Sequence, residues 1–156
     1  MKFQHRCILP GTPERWWAFL LDVPEVGKCI AGVEDIQPIE GNAYSGSMRV
    51  KIGPVGLNFH GKLTLEEIRR EDWRAAFQSE ATDRGLAGGI RVRMSMQLHP
   101  QGPDATELVV DTDAVFMGKL GEFGYPLIRK KADSMMQDFA RRVVERTASG
   151  PAAGKD

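Results

Sequence analysis

The chain has 156 residues, a length that forms one domain and buries most of its surface without a metal or disulfide staple. Lys and Arg together number 21, as do Asp and Glu, so the formal net charge is zero. That balance excludes a general nucleic-acid binder, whose mark is a basic excess. Cys7 and Cys29 match no zinc, iron–sulfur or redox spacing. No apolar run approaches the ~20 residues that cross a bilayer, and the opening residues lack a signal-peptide pattern. A cytoplasmic setting follows as the expectation.

Phe3, His5, Cys7 and Leu9 alternate with Lys2, Gln4, Arg6 and Ile8, which predicts a strand ended by Pro10-Gly11. Thr12 reads as an N-cap with Pro13 at the first helical position, opening a short helix through Trp16, Trp17, Phe19 and Leu20. Asp22 caps a second short helix, with Pro24 early in it, running to about Ile30. A meander follows. Val33 to Glu40 is a strand candidate, turned by Gly41-Asn42. Tyr44, Gly46, Met48, Val50 and Ile52 share the inward face of the next strand, which Gly53-Pro54 ends. Val55, Leu57, Phe59, Gly61, Leu63 and Leu65 alternate with polar residues up to Glu66. Trp73, Ala75, Phe77, Ser79 and Ala81 form one inner face. Ile90, Val92, Met94, Met96 and Leu98 form another, and Thr106 to Phe116 completes the set. Clean alternation means one buried and one solvated face per strand, as in an antiparallel sheet.

From Leu127 to Arg146 the pattern is helical, with Leu127, Ile128, Ala132, Met135, Met136, Phe139 and Val143 on an apolar stripe. Arg129, Lys130, Asp133, Gln137, Arg141 and Glu145 fall on the opposite side. Gly118, Gly121, Gly124 and Pro126 crowd the stretch before it. Pro126 disfavours helix at Tyr125, so a kink or restart is predicted there. Residues 148–156 are small and polar and read as a disordered tail after a domain of residues 1–147.

The order of one strand, two short helices, six strands and a long helix resembles the helix-grip fold of the START/Bet v1-like (SRPBCC) superfamily. That is an α+β fold in which a seven-stranded curved antiparallel sheet wraps a C-terminal helix. Met1-Lys2-Phe3, Pro13-Glu14-Arg15-Trp16-Trp17, Cys29-Ile30-Ala31-Gly32-Val33-Glu34, Val50-Lys51-Ile52-Gly53-Pro54 and Gly118-Lys119-Leu120-Gly121 narrow the likeness. With them the chain is similar to the carbon monoxide dehydrogenase CoxG family over nearly all of residues 1 to 146. The resemblance implies a hydrophobic cavity between sheet and helix. It also implies association with molybdenum-containing carbon monoxide dehydrogenases and related hydroxylases, as a membrane-recruiting or quinone-handling accessory. The chain departs from the family at Pro126 and in its short, polar tail.

The candidate ligand-binding residues are His5, Tyr44, Met48, Leu57, Phe59, Phe77, Ile90, Met94, Leu120, Phe123 and Leu127. Gly121, Gly124 and Pro126 are the candidate entrance. Two glycines on the buried side of a helix, each costing about 1 kcal/mol against alanine, leave volume unfilled or let backbones approach. The expected ligand is quinone-like or lipid-like. The expected partners are molybdenum hydroxylase subunits and, through Lys119, Arg129, Lys130, Arg141 and Arg142, the inner face of the membrane.

His5 faces inward with Cys7, and as a polar group it either satisfies a core neighbour or donates to a ligand carbonyl. Tyr44 either meets a ligand oxygen or leaves its hydroxyl in water. His60 and His99 fall on outward faces, and Asp111 and Asp113 share one. No phosphate loop, nucleophile elbow or metal set is present, and no cofactor is expected. Three classes stay open at this point. They are a non-catalytic lipophile carrier, an assembly or membrane-recruitment factor with a filled core, and a cyclase- or hydrolase-like enzyme using His5.

Overall fold

A computed structural model of the chain describes residues 1–83, 85 and 88–149, the side chains of 147–149 excepted. The assignment of residues 148–156 to a tail therefore lies almost wholly outside the described residues. Ten regular elements follow one another: β1 (Lys2–Pro10), α1 (Pro13–Leu20), α2 (Val23–Gly27), β2 (Val33–Pro38), β3 (Ala43–Ile52), β4 (Val55–Arg69), β5 (Arg74–Asp83), β6 (Gly88–Pro100), β7 (Ala105–Gly118) and α3 (Tyr125–Ser149). The strands form one antiparallel sheet in the order β1-β7-β6-β5-β4-β3-β2. The sheet curves around α3, which lies against β1 and touches β3 near the opposite edge. This is the helix-grip arrangement expected from the sequence.

Local chemistry explains most boundaries. Pro13 opens α1, where its missing N–H costs nothing. Thr12 occupies the N-cap position, but its side chain makes no capping hydrogen bond, contrary to the expectation. Asp22 does cap α2, accepting from the Glu25 backbone N–H at 3.5 Å. That helix ends at Gly27, three residues earlier than predicted. β4 runs on to Arg69 because a bulge between Leu65 and Glu67 absorbs one residue. The bulge breaks the two-residue period, and the alternation is lost to the eye at Glu66-Glu67.

Trp73 stands outside β5, in the left-handed region at φ 53°. Its backbone closes the turn after Arg70–Asp72, donating to Arg70 O at 3.1 Å and accepting from Leu98 N at 3.0 Å. The Arg70 guanidinium covers its ring 4.9 Å from the centroid.

The segment before α3 is also resolved into pieces. Lys119–Glu122 forms a single 3-10 turn, and the helix starts afresh at Tyr125. Pro126 therefore occupies the first helical turn, where it needs no backbone partner. The predicted restart is present, and α3 extends at least to Ser149.

The core is divided. One cluster holds Leu9, Trp16, Trp17, Leu20, Cys29, Ala75, Met96, Leu98, Leu108, Val110 and Val143. It sits where α1 and α2 cover one end of the sheet. Trp16 is fully buried, and its indole donates to Pro10 O at 2.6 Å. The other cluster holds Phe3, Ile52, Leu57, Phe59, Leu120 and Ile128, at the end closed by the 3-10 turn and the start of α3.

Candidate functional site

Between the two clusters the concave face of the sheet belongs to neither. Successive inward positions across the strands show the gap. On β3 it falls at Tyr44 and Met48, on β4 at Leu63, on β5 at Phe77 and Ser79, on β6 at Val92, and on β7 at Thr112. These side chains are half-buried, whereas their inward neighbours Leu65 on β4 and Ala114 on β7, also in neither cluster, are buried. Opposite them on α3 lies Met135, also half-buried and in neither cluster. Met94 continues the belt at the border of the first cluster. Residues on the inner face of a closed core lose nearly all contact with water. These half-buried positions form a belt between the two clusters.

Backbone geometry contributes to the recess. Gly46 and Gly61 pair with each other on the inward face of β3 and β4, among the belt residues. A Cβ at Gly46 would stand 2.6 Å from Asp35 O, and one at Gly61 would meet Glu80 O. Only glycine admits such close approach of neighbouring strands, and it also leaves the wall without side chains there.

His5 marks the boundary on β1, between Phe3 of the second cluster and Cys7, which packs on the first. Its Nε2 lies 2.8 Å from Asp133 Oδ1 on α3. The pair ties the middle of the helix to the edge strand. The carboxyl of Asp133 is held below its ordinary range, first by that hydrogen bond and then by the charge of Arg129, 3.6 Å away. Burial pushes the Cys7 thiol up, with the Glu107 charge adding to it. Among the described residues no three His, Cys, Asp or Glu side chains gather to hold a metal.

The predicted site residues divide three ways. Tyr44, Met48, Phe77 and Met94 line the belt, with His5 at its border. Leu57, Phe59 and Leu120 are buried members of the second cluster, and Ile90 and Phe123 pack against that cluster. Leu127 is 37% exposed and lies beside the Gly53 turn. At about 100° per residue it falls well off the stripe centred between Ile128 and Val143. Gly121 sits in the 3-10 turn and Gly124 precedes the helix, so neither occupies a face of α3. A Cβ at Gly121 would meet Phe116 O at 3.2 Å, which makes that glycine a packing feature of the β7 end.

The sequence pattern puts Asp133 on the solvent side of α3, and the structure turns it to His5. It lies just beyond the Met136 flank of the apolar stripe, and a polar residue at a stripe's edge is the signal that marks such a position.

Two surface depressions stand out. One, of about 430 Å³, is lined by Lys28, Cys29, Arg141, Arg142, Glu145 and Arg146, where α2 meets the far part of α3. Its cations are matched by Glu25, Asp138 and Glu145 in ion pairs. The other, of about 660 Å³, is lined by Glu67, Ala76, Arg93, Ser95, Asp111 and Asp113 from the outward rows together with Phe77, Met94 and Thr112 of the belt.

A family model describing CoxG, a carbon monoxide dehydrogenase subunit, matches residues 9–148. No curated protein matches the sequence at a significant level. Among solved structures, a conserved protein from Geobacillus kaustophilus superposes with a TM-score of 0.85 at 19% identity, covering 94% of each chain. A START superfamily protein from Mycobacterium smegmatis has a TM-score of 0.65 at 13% identity, covering 93% of this chain and 95% of that one. The Zhui aromatase/cyclase from Streptomyces sp. R1128 has a TM-score of 0.62 at 12% identity, covering 93% and 89%. At these identities the likeness is one of fold.

Proposed function

The chain belongs to the CoxG family of carbon monoxide dehydrogenase, and from that premise we propose that it binds a hydrophobic small molecule in the cleft between α3 and the concave face of its sheet. The observation that carries this reading is the divided core, with a half-buried belt of Met48, Leu63, Phe77, Val92, Met94 and Met135 between two closed ends. The ligand is quinone-like or lipid-like, matched to a wall that is apolar, rich in methionine and open to variable shapes. The protein then serves as a cytoplasmic accessory to a molybdenum-containing hydroxylase of the carbon monoxide dehydrogenase type. It binds without turnover. An enzyme needs several converging polar groups, and besides the ion pair at its border the belt offers only the hydroxyls of Tyr44, Ser79 and Thr112, spread over three strands.

Organic extraction of purified protein, followed by mass spectrometry, is expected to release a lipophile. Delipidated protein is expected to bind fluorescent fatty acids or quinones at one site. An empty extract together with no binding by delipidated protein removes the cleft reading.

A second reading, recruitment to a membrane or partner surface, is favoured by one observation. Tyr125 and Leu127 are 43% and 37% exposed at the start of α3, beside Arg129 and Lys130. Apolar side chains flanked by cations suit an anionic lipid surface. The two readings are compatible if ligand enters at that end. No described helix is long and apolar enough to cross a membrane.

A further inference from the structure

His5 makes one hydrogen bond with one of its two ring nitrogens. Nε2 faces Asp133 at 2.8 Å, while Nδ1 is buried without a partner among the described residues. An ionised carboxylate only accepts hydrogen bonds, so the proton of this pair belongs to Nε2. Asp133 is kept ionised by His5 and Arg129. A neutral imidazole that carries its proton on Nε2 leaves Nδ1 as a bare acceptor.

The surroundings of that atom do not satisfy it. Its neighbours on the same face of β1 are Phe3, whose ring stacks at 6.5 Å, and Cys7, a weak donor. Its cross-strand partner is the apolar Val110. A buried acceptor without a donor is destabilising unless something supplies one. His5 also stands at the border of the belt, where the two cores part.

We infer that Nδ1 of His5 is the polar anchor of the cleft and selects hydrophobic ligands that carry a hydroxyl or phenol donor over those that present only a carbonyl or ether oxygen. This rests on the cleft being the ligand site. It reverses the direction of the hydrogen bond expected from the sequence, in which His5 donates to a ligand carbonyl. For a redox-active aromatic ligand, the preferred form is the reduced, hydroxylated one. Asp133 acts through His5 and is a positioning residue, since it fixes which nitrogen keeps the proton.

The test uses two fluorescent probes of similar size, 2-naphthol, which donates, and 2-methoxynaphthalene, which does not. Binding is measured with delipidated full-length protein at about pH 8, where an ordinary imidazole is neutral. The wild type is expected to bind 2-naphthol about tenfold more tightly, the effect of one hydrogen bond that fills an empty acceptor. In His5→Phe the preference falls to about one while 2-methoxynaphthalene affinity is kept. Asp133→Asn, a change at the helix surface, releases the tautomer and lowers the preference without removing binding. That variant keeps the test informative if His5→Phe fails to fold. Equal binding of both probes by the wild type, or a preference that survives in both variants, overturns the inference and leaves the cleft reading standing. If neither probe binds, this inference falls, while the cleft reading is decided by the fatty-acid and quinone measurements.

Discussion

The Trp-lined end of the molecule and the belt beside it are built from the same kinds of residues on the same strands, yet only one of them closes. At the Trp end, α1 and α2 lie over the sheet. Trp16 and Trp17 enter the space between β6 and α3, and Trp73 meets Trp17 edge to face at 5.8 Å. The strands contribute small or aliphatic residues there, with Ala75 fully buried and Leu98 and Leu108 nearly so. Two residues further along β5, Ala75 gives way to Phe77, which is only half-buried. What differs is the supply of covering groups, not hydrophobicity. A sheet this curved and a single helix leave a gap wherever no third element fills the angle between them.

The largest effect is expected at Trp16. Trp16→Ala removes a fully buried indole and its hydrogen bond to Pro10 O, and a loss of roughly 3–5 kcal/mol of unfolding free energy is expected in urea. Phe77→Ala, in the half-buried belt, is expected to cost clearly less and to weaken probe binding instead. If the two substitutions cost the same, the belt is core like any other and the division is false.

Adding volume sharpens the same contrast at a smaller scale. Ala75 and Ser79 both face inward on β5, four residues apart. Ala75→Leu overpacks the closed cluster and is expected to cost about 1–3 kcal/mol. Ser79→Leu projects into the open belt between Leu63 and Val92. It is expected to leave the melting temperature unchanged or raised, and to block the binding of a fluorescent fatty acid. Destabilisation by Ser79→Leu equal to that by Ala75→Leu means there is no room at Ser79.

Much of this is legible in the sequence, and the exceptions have physical causes. The period-two runs place Tyr44, Met48, Phe77 and Met94 on one face, because a strand fixes side-chain direction without help from its neighbours. The same runs cannot tell Leu57 and Phe59, which are closed over, from Phe77, which is not. Closure depends on what another element places above, and alternation carries no record of that. The restart at Pro126 is readable because proline acts on its own backbone. The true setting of Gly121 and Gly124 is not, since a 3-10 turn and an α-helix share the same short-range pattern. Asp133 escapes for a third reason. A charged residue at the edge of an apolar stripe looks solvated until the strand beside it is known, and His5 lies 128 positions away in the chain.

The smallest effect is expected at that pair, and its pH dependence has a definite sign. The Asp133 carboxyl is lowered in the folded protein, chiefly by the hydrogen bond from His5 and further by Arg129. A lowered carboxyl stabilises the fold above its unfolded value of about 3.9, and that contribution disappears as pH falls through the folded value. The stability difference between wild type and Asp133→Asn is therefore expected to shrink towards zero as pH falls below about 4, with His5→Phe removing most of that loss. Urea melts of the three proteins across that range measure it. Asp133 is partly exposed, so the magnitude is modest. A difference that persists undiminished below about pH 4 means the pair does not join α3 to β1. The helix would then be held over the belt from its two ends, through Ile128 and the Tyr125–Phe3 stack at one and Val143 and the Arg146–Glu25 pair at the other.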